Sequence, residues 1–429
     1  MKKPAENLNP VRSQPLPWEL PGAHYLNEEE VDAVTNIIRS KSLFRFYGPD
    51  LQNAVNHLEA HFRDYVKREY ALAVSSGTSA LYIALAAFGV GPGDEVLLPG
   101  YLWVSCASAI IRTGAIPRLI DIDSSFCMDP NDLKTKINER SKVILYIHMS
   151  GAMGNIHEII DIATSHNLKV LEDCAQAVGA TLDGKAAGAF GDIGIYSFQL
   201  NKNMTSGEGG MIVCDNENLY QRCFAIHDLG YARNKMGRLD ATNEALQLWG
   251  IGARMSELTG AVALVQLGKL NKIVAAMRHS KYRIIEGIKD IPDLTFRTIP
   301  DPRGDSGAFL IVTFPDESLC REFVKEMHKE GINGPAGSVA CVVLGDVDFY
   351  WYYNTPSLVY KRSNSPDQFP WTHPANEFAQ DISYEKGALP KCDSLAHRSM
   401  KLAIASNLCA QDEEDIITAF HKIANKIMG

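Results

Sequence analysis

The chain has 429 residues, 46% of them hydrophobic and 22% charged, with a formal net charge of −9. This length predicts two or three domains, and the composition is typical of a globular protein with a sizeable core. The mild acidity argues against a nucleic-acid partner. No uninterrupted apolar run approaches the ~20 residues that span a bilayer, so we expect no membrane partner either.

The N-terminal segment 1–24 is polar and rich in proline, and it lacks the apolar stretch of a signal peptide. We expect it to be an arm that lies over the surface or over a partner subunit. The nine cysteines are scattered without a Cys-x-x-Cys pair, and most lie in apolar runs. This pattern favours free core thiols in a reducing cytoplasm over a metal site or a disulfide framework.

Hydrophobic periodicity predicts two amphipathic helices at 28–40 and 51–67. From Tyr70 to Asp173, strand-like and helix-like segments then alternate. Such alternation predicts βαβ units and a largely parallel sheet. The strand-like segments GIYSFQL and GMIVCD, which follow, break the alternation, and we expect them to form a hairpin-like pair at the sheet.

After residue 214 the pattern becomes helical, with a segment from 255 to 288 long enough for one helix or two. From about residue 290 it suggests a smaller α+β domain. We therefore predict an arm (1–24), a large domain (25–265) and a small C-terminal domain (266–429). The small domain contains an aromatic-rich insert, 345–380, that is either a loop folded on the core or a wall for a substrate or a second subunit.

Lys202 lies in the stretch GDIGIYSFQLNKNMTSGEGG, between two strand-like segments and just before several glycines. This context indicates a lysine held on a turn, and a lone lysine of this kind is usually a surface residue. Two other features change that interpretation. Asp173 ends the apolar run LKVLED, and Gly77-Thr78 stand where the strand of VSSGTSAL gives way to a helix.

Together these three features are what a pyridoxal phosphate site needs. A lysine forms a Schiff base with the cofactor aldehyde, a carboxylate at a strand end keeps the pyridine nitrogen protonated, and a helix N-terminus binds the phosphate. Ser197 is placed to add a hydroxyl to the phosphate, Trp103 to stack on the ring, and Gln176 to contact the phenolic oxygen. The ordinary alternatives are core packing for Trp103 and a helix N-cap for Asp173.

In this order, the motifs SSGTSAL, DEVLLPGYLWV, GAIPRLIDID, LEDCAQAVGA, GDIGIYSFQLNKNMTSGEGG and RMSELTGAVALVQL resemble the DegT/DnrJ/EryC1/StrS aminotransferases. The resemblance runs from about residue 25 to 275 and is looser beyond. It implies an α/β, aspartate-aminotransferase-like large domain (fold type I) with a mostly parallel sheet, and a smaller C-terminal α+β domain. It also implies pyridoxal 5'-phosphate as cofactor, a homodimer, an amino donor (L-glutamate or L-glutamine) and a keto-sugar acceptor.

By position, the resemblance gives Lys202 and Asp173 the roles of Schiff-base lysine and pyridinium partner. Five further residues match the cofactor-binding positions of the family: Gly77, Thr78, Trp103, Gln176 and Ser197. A dehydrating branch of the family has histidine where the lysine belongs, so Lys202 favours transamination. The family's asparagine that reaches the neighbouring subunit's phosphate is Gly252 here, which leaves that contact to another residue such as Arg233 or Asn234.

Three functional hypotheses remain at this point. The first is a ping-pong sugar aminotransferase acting on a nucleotide-linked keto-hexose, a keto-deoxy sugar acid or a cyclitol. The second is a lyase or dehydratase with the same cofactor, and the third is a non-catalytic sensor or regulator that binds it. The segments LFRFYG and IHMSGAMGNI are similar to the branch that aminates eight-carbon keto-deoxy sugar acids. Candidate substrate residues are Arg45, Tyr47, His227 and Tyr231.

Overall fold

A seven-stranded sheet dominates the first half of the chain in the computed structural model, which describes residues 9–428. The strands of this sheet are β1 (Tyr70–Val74), β2 (Glu95–Pro99), β3 (Ile116–Ile120), β4 (Ser141–Ile147), β5 (Lys169–Asp173), β8 (Ile193–Ser197) and β9 (Gly210–Cys214). Strands β6 (Thr181–Leu182) and β7 (Lys185–Ala186) form a short hairpin apart from it. The strand order is β1-β9-β8-β5-β4-β2-β3.

Strands β3, β2, β4, β5 and β8 run parallel, whereas β9 pairs antiparallel with both β8 and β1. The predicted parallel sheet and the predicted hairpin-like pair are therefore both confirmed. The carboxyl ends of parallel strands meet at one edge of a sheet, which is where such folds place their ligands. Asp173 and Ser197, the last residues of β5 and β8, both lie at this edge.

Seven helices accompany this sheet: α1 (Glu28–Ser40), α2 (Ala54–Val66), α3 (Gly77–Ala87), α4 (Val104–Thr113), α5 (Pro130–Lys136), α6 (Ile156–Ser165) and α7 (Glu217–His227). Side chains alternate between two cores, as the period of two along a strand requires. In β4, Ile144 and Tyr146 face the core formed with α2 and α6, while Val143 and Leu145 face the core formed with α3 and α4. Helices thus cover both faces of the sheet.

The segment left open as one helix or two is a single 32-residue helix, α8 (Glu257–Ile288), which begins at the N-cap Ser256. It packs against α1 and α2. By length and composition α8 is apolar enough to cross a membrane, but half of its most apolar window is buried inside the protein, as in core helices. The predicted boundary at 265/266 falls within this helix, and the three domain ranges remain a prediction.

Between α7 and α8, two short strands, β10 (Ala232–Arg233) and β11 (Leu239–Asp240), pair with each other. The C-terminal part contains a second sheet: β12 (Thr295–Phe296), β13 (Phe309–Thr313), β14 (Cys341–Val343) and β15 (Ser399–Ala403). The second sheet is antiparallel, with the order β12-β13-β15-β14. Its helices are α9 (Glu317–Lys329), α10 (Pro356–Val359), α11 (Pro390–Arg398) and α12 (Ala410–Ile427). Helices α9 and α12 pack on each other, and α12 also packs on α8.

The aromatic-rich insert runs from the end of β14 towards α11 and packs onto the large sheet's core. Trp351 and Tyr352 are fully buried there, among residues of α3 and α4. Its backbone is joined to the segment that follows β2, because Leu102 N donates to Tyr350 O at 2.9 Å and Tyr352 N donates to Gly100 O at 3.0 Å. The insert is therefore a fixed part of the structure next to Trp103.

The part of the predicted arm that the structure describes, residues 9–24, lies along the C-terminal part of the chain. Leu16 is buried, and its N–H donates to Asn333 O at 2.7 Å. Further along, Gly22 N donates to the carbonyl of Lys202 at 3.1 Å. The arm thus ends against the turn that carries Lys202, while residues 1–8 lie outside the described residues.

Candidate active site

One cavity of about 380 Å³ lies at the carboxyl edge of the parallel strands. All the residues predicted to be catalytic or cofactor-binding line it: Gly77, Thr78, Trp103, Asp173, Gln176, Ser197 and Lys202. Its volume is within the range of small-molecule sites. Residues from four separate stretches of sequence therefore meet in one place.

The N-terminus of α3 forms one end of the cavity. Ser76 is the N-cap, and its hydroxyl accepts a hydrogen bond from Ser79 N at 3.0 Å. Within residues 9–428, no hydrogen bond is donated by the backbone N–H groups of Gly77 and Thr78. A Cβ on Gly77 would lie 2.8 Å from Ser197 Cβ, so only glycine lets β8 approach the helix this closely. Free N–H groups, a helix dipole and nearby hydroxyls form a cradle for an anion.

Asp173 is buried at the end of β5. Its Oδ1 accepts a hydrogen bond from Ala175 N at 2.9 Å, and its Oδ2 lies 3.2 Å from Cys106 Sγ. No helix follows it, so it does not act as an N-cap. Burial raises the pKa of Asp173, and the bond from Ala175 and the charge of Lys202 only partly oppose the shift. A cation facing this carboxylate would favour its ionised form.

Lys202 is held on the turn after β8, where its N–H donates to Gln199 O at 3.0 Å. Burial lowers the pKa of Lys202, although the negative charges of Asp173 and Glu208 oppose the shift. Among the described residues, none accepts a hydrogen bond from its Nζ. The amine is thus free and more nucleophilic than that of a surface lysine.

Trp103 and Gln176 meet a residue that the sequence did not single out, Tyr350 of the aromatic-rich insert. The rings of Trp103 and Tyr350 have their centroids 4.8 Å apart. The Gln176 Oε1 accepts from Ser150 N at 2.8 Å, and its Nε2 lies 3.4 Å from the Tyr350 hydroxyl. Burial raises the pKa of Tyr350 to about 12, so its hydroxyl stays protonated. The aromatic composition of the insert was the one available signal for this residue.

A buried hydrogen-bond network holds the backbone of Asp173 in place. His148 N donates to Asp173 O at 3.0 Å, and His148 Nε2 lies 2.7 Å from Glu172 Oε2. Burial opposes ionisation of Glu172, but His148 and the N–H groups of Gly188 and Gly191 outweigh it and lower its pKa. With Cys174, this group has the composition of a metal site. Because backbone donors and His148 already occupy both carboxylate oxygens, we interpret it as a support for Asp173.

The four candidate substrate residues, Arg45, Tyr47, His227 and Tyr231, do not line this cavity. Arg45 is buried and forms an ion pair with Glu59 at 2.7 Å, while burial lowers the pKa of His227 to about 3. Their substrate roles remain predictions.

Gly252, at the position of the family's asparagine, has φ +66° and open space where a Cβ would point. Of the two residues suggested to replace that asparagine, Arg233 forms an ion pair with Asp228, and Asn234 accepts from Met236 N at 3.0 Å. Neither lines the cavity of its own protomer, so the source of a contact across subunits remains a prediction.

The family model of the DegT/DnrJ/EryC1/StrS aminotransferases matches residues 24–336. The chain belongs to the DegT/DnrJ/EryC1/StrS aminotransferase family. Membership confirms the predicted family and the predicted enzyme class, an aminotransferase. Residues 337–429, which include the insert with Tyr350, lie outside the match.

Two curated relatives cover most of the chain. GDP-perosamine synthase of Vibrio cholerae is 27% identical over 377 residues, which are 87% of this chain and 91% of the relative. L-glutamine:2-deoxy-scyllo-inosose aminotransferase of Streptomyces kanamyceticus is 31% identical over 322 residues, or 73% of this chain and 74% of the relative. Both belong to sugar or cyclitol chemistry by name.

Solved structures confirm the predicted fold type I class. The crystal structure of 3-amino-5-hydroxybenzoic acid synthase superposes with a TM-score of 0.77 at 23% identity, covering 97% of this chain and 99% of that one. The E. coli GDP-4-keto-6-deoxy-D-mannose-3-dehydratase with bound hydrated PLP gives a TM-score of 0.75 at 20% identity, covering 95% of this chain and all of that one. At these identities the likeness concerns the fold alone.

The residues of the cavity fit pyridoxal phosphate in three independent ways. The backbone N–H groups at the start of α3 that donate no hydrogen bond suit the phosphate of the cofactor. Gly77, where a Cβ would collide with Ser197, keeps these groups close to the Ser197 hydroxyl. The buried, hydrogen-bonded carboxylate of Asp173 suits a cationic partner such as a protonated ring nitrogen. The free amine of Lys202 suits its aldehyde.

Proposed function

We propose that this chain is a pyridoxal phosphate-dependent aminotransferase that moves an amino group from L-glutamate or L-glutamine to a keto sugar. The observation that carries the proposal is the meeting, in one cavity, of an unpaired lysine amine, a buried carboxylate and a helix N-terminus with unused N–H groups. When bound, pyridoxal phosphate would supply an electron sink and carry the amino group between the two substrates.

Each wall of the cavity has a binding role in this proposal. Gly77 and Thr78 hold the phosphate with their N–H groups, and Ser197 adds its hydroxyl. Trp103 covers one face of the ring, and Gln176, fixed by Ser150, contacts the phenolic oxygen. Because Cys106 and Ala175 already hold the carboxylate of Asp173, it is oriented before anything binds.

Lys202 is the group that transfers protons between the reacting carbon atoms in this proposal. In the first half-reaction its Nζ takes the proton from the Cα of the amino donor, and in the second it delivers a proton to the acceptor carbon that receives the amino group, so one group serves as base and as acid. A lowered pKa suits this role because more of the amine is unprotonated near neutral pH. Since both substrates use the same cavity, the donor's keto acid leaves before the acceptor enters, which is a ping-pong order.

The proposed acceptor class is supported by the named relatives, which include a perosamine synthase and inosose aminotransferases named for L-glutamine. A dehydratase is among the structural neighbours. Lys202 favours amination over dehydration, because the family's dehydrating branch resembles this chain elsewhere but has histidine there. A cytoplasmic homodimer is also part of the proposal.

The test is an absorbance spectrum of the protein loaded with pyridoxal phosphate, before and after L-glutamate or L-glutamine. We expect a donor to convert the visible cofactor band, and a keto sugar to restore it. Lys202→Ala should lose turnover by about 10²–10⁴-fold or more, because it removes the acid–base group. The control, Lys325→Ala, changes an exposed lysine of α9 and should keep full turnover. Normal turnover in Lys202→Ala, or no amino-group transfer by the wild type, would overturn the proposal.

A further inference from the structure

Tyr350 of the aromatic-rich insert stands where two cavities meet. It lines the active-site cavity of about 380 Å³ and also a second, smaller cavity of about 40 Å³. Four residues line both cavities, and we call them the shared wall: Gln176, Asn201, Lys202 and Tyr350. Gln176 and Lys202 have roles towards the cofactor in the proposed function, whereas Tyr350 has been given none.

The position of Tyr350 is fixed by the packing of the insert. Its carbonyl accepts a hydrogen bond from Leu102 N at 2.9 Å. The next residue, Trp351, is fully buried, and its ring stacks on that of Tyr101. The ring of Tyr350 itself contacts that of Trp103, with the centroids 4.8 Å apart. A ligand that binds the Tyr350 hydroxyl therefore does not have to order a loop, which favours binding.

The shared wall offers hydrogen-bond donors to a ligand. Gln176 Oε1 accepts from Ser150 N at 2.8 Å, which leaves Nε2 facing the Tyr350 hydroxyl oxygen at 3.4 Å. Within residues 9–428, the hydrogen of that hydroxyl has no acceptor. Burial raises the pKa of Tyr350 to about 12, so the hydroxyl keeps its proton. Donors that meet in one place suit a group with several oxygen atoms, above all a carboxylate.

The amino donor brings a carboxylate to this place. An α-amino acid carries it on the same carbon atom from which Lys202 removes the proton, so the carboxylate must lie close to Lys202 during the reaction. In the described part of one protomer, Lys202 is the only cation that lines either cavity. Lys202 is unprotonated when it acts as a base, and it then has no positive charge to offer. The neutral donors of the shared wall remain.

We propose that the Tyr350 hydroxyl donates a hydrogen bond to the α-carboxylate of the amino donor. This inference rests on the proposed function and names a residue that its first half-reaction uses to bind the donor. The smaller cavity also contains Glu19, whose negative charge disfavours a carboxylate inside it, so the α-carboxylate lies at the shared wall. Tyr350 lies outside the residues that the family model matches.

The test compares the wild type with Tyr350→Phe, which removes only the hydroxyl, in two pairs of amines. L-glutamate and 4-aminobutanoate differ by the α-carboxylate alone, and so do L-glutamine and 4-aminobutanamide. Absorbance titration of the cofactor-loaded protein gives the dissociation constants. We expect Tyr350→Phe to bind the two amino acids about tenfold or more weakly, as for the loss of a hydrogen bond to a charged group. Its affinity for the two amines without the α-carboxylate should be that of the wild type.

The matched control is Tyr360→Phe, which removes a hydroxyl from the same insert at a position that is 65% exposed. It should bind all four amines as the wild type does. The melting temperature and the cofactor content of Tyr350→Phe should equal those of the wild type, because phenylalanine keeps the ring contact with Trp103. Steady-state kinetics give a second readout: the KM for the amino donor should rise, while the KM for the keto sugar stays the same.

Three results would overturn the proposal. One is an equal loss of affinity for the amino acids and for their counterparts without the α-carboxylate. The second is unchanged affinity for all four amines, and the third is weakening confined to the keto sugar.

If the wild type transfers no amino group, the proposed function fails separately. Calorimetric titration with 2-oxoglutarate, which keeps the α-carboxylate, then compares the wild type with Tyr350→Phe. Weaker binding by the variant would support the carboxylate contact, whereas equal affinity, or no binding by either protein, would overturn it.

Discussion

The buried histidine at the end of α7 links the stability of the protein to pH. His227 ends α7 and is fully buried, with Nδ1 against the carbonyl of Phe224 and Nε2 unpartnered among residues 9–428. Burial lowers its pKa to about 3, and the charge of Arg45 adds to the shift. The unfolded chain, with a histidine pKa of about 6.5, binds a proton that the folded protein excludes between these two values.

We therefore expect the free energy of unfolding to fall as pH drops below about 6.5, by about 2 kcal/mol from this group alone at pH 5. His227→Asn should remove this contribution, because the amide keeps a donor near Phe224 and does not titrate. Urea unfolding of both proteins at pH 7 and pH 5 measures the difference. Equal losses in the two proteins would show that acid sensitivity arises elsewhere.

At the scale of residues, sequence reasoning found the groups that sit at strand ends and glycine-rich turns, such as Lys202, Asp173 and Gly77. Their signal is local, since a functional side chain and the turn that holds it are adjacent in the chain. Tyr350 reaches the cavity through pairing between segments about 250 residues apart, and the local pattern gave only an aromatic-rich insert.

At the scale of elements, the contact between α3 and β8 determines how the cavity binds a phosphate. A Cβ at Gly77 would force α3 or β8 to shift, since it would meet Ser197 Cβ at 2.8 Å. We expect Gly77→Ala to weaken pyridoxal phosphate binding by about tenfold or more, because the N–H groups of the first turn move. Cofactor titration followed by fluorescence measures the dissociation constant.

The control is Gly268→Ala in the middle of α8, where a Cβ meets nothing within 4 Å. That change should leave cofactor affinity unchanged and stabilise the protein by about 0.4–1 kcal/mol, because alanine restricts the unfolded chain. If Gly77→Ala bound the cofactor as tightly as Gly268→Ala, the N-terminus of α3 would not be the phosphate site.

Elements with strong periodicity were predictable, and their long-range partners were not. The alternation from Tyr70 to Asp173 predicted the parallel sheet because buried strands and amphipathic helices have different periods. The pairing of β9 with β1, about 140 residues earlier in the chain, has no local signal. The packing of the insert has no local signal either. The ring of Trp351 stacks on that of Tyr101 with the centroids 4.3 Å apart, although the two residues are distant in sequence.

At the scale of the whole molecule, the stretch from Leu229 to Ile251 exposes several large apolar side chains to solvent. Trp249 is 93% exposed and Met236 is 75% exposed, and Leu229, Leu239 and Ile251 are exposed as well. Exposed apolar clusters of this kind mark protein contacts. The stretch ends beside Gly252, which matches the family position that reaches a neighbouring subunit, so a second copy of this chain is the occupant we expect.

Trp249→Glu should therefore convert the proposed homodimer to a monomer, because it places a charge in an apolar interface where no partner is available. Light scattering coupled to gel filtration measures the mass directly. Tyr360→Glu is the control, since Tyr360 is 65% exposed on the aromatic-rich insert, away from this stretch. A monomeric wild type, or a Trp249→Glu protein that stays dimeric, would contradict this assignment. If the monomer also loses cofactor affinity, each site needs a residue from the second subunit, for which Arg233 and Asn234 are the candidates because Gly252 has no side chain to make the contact.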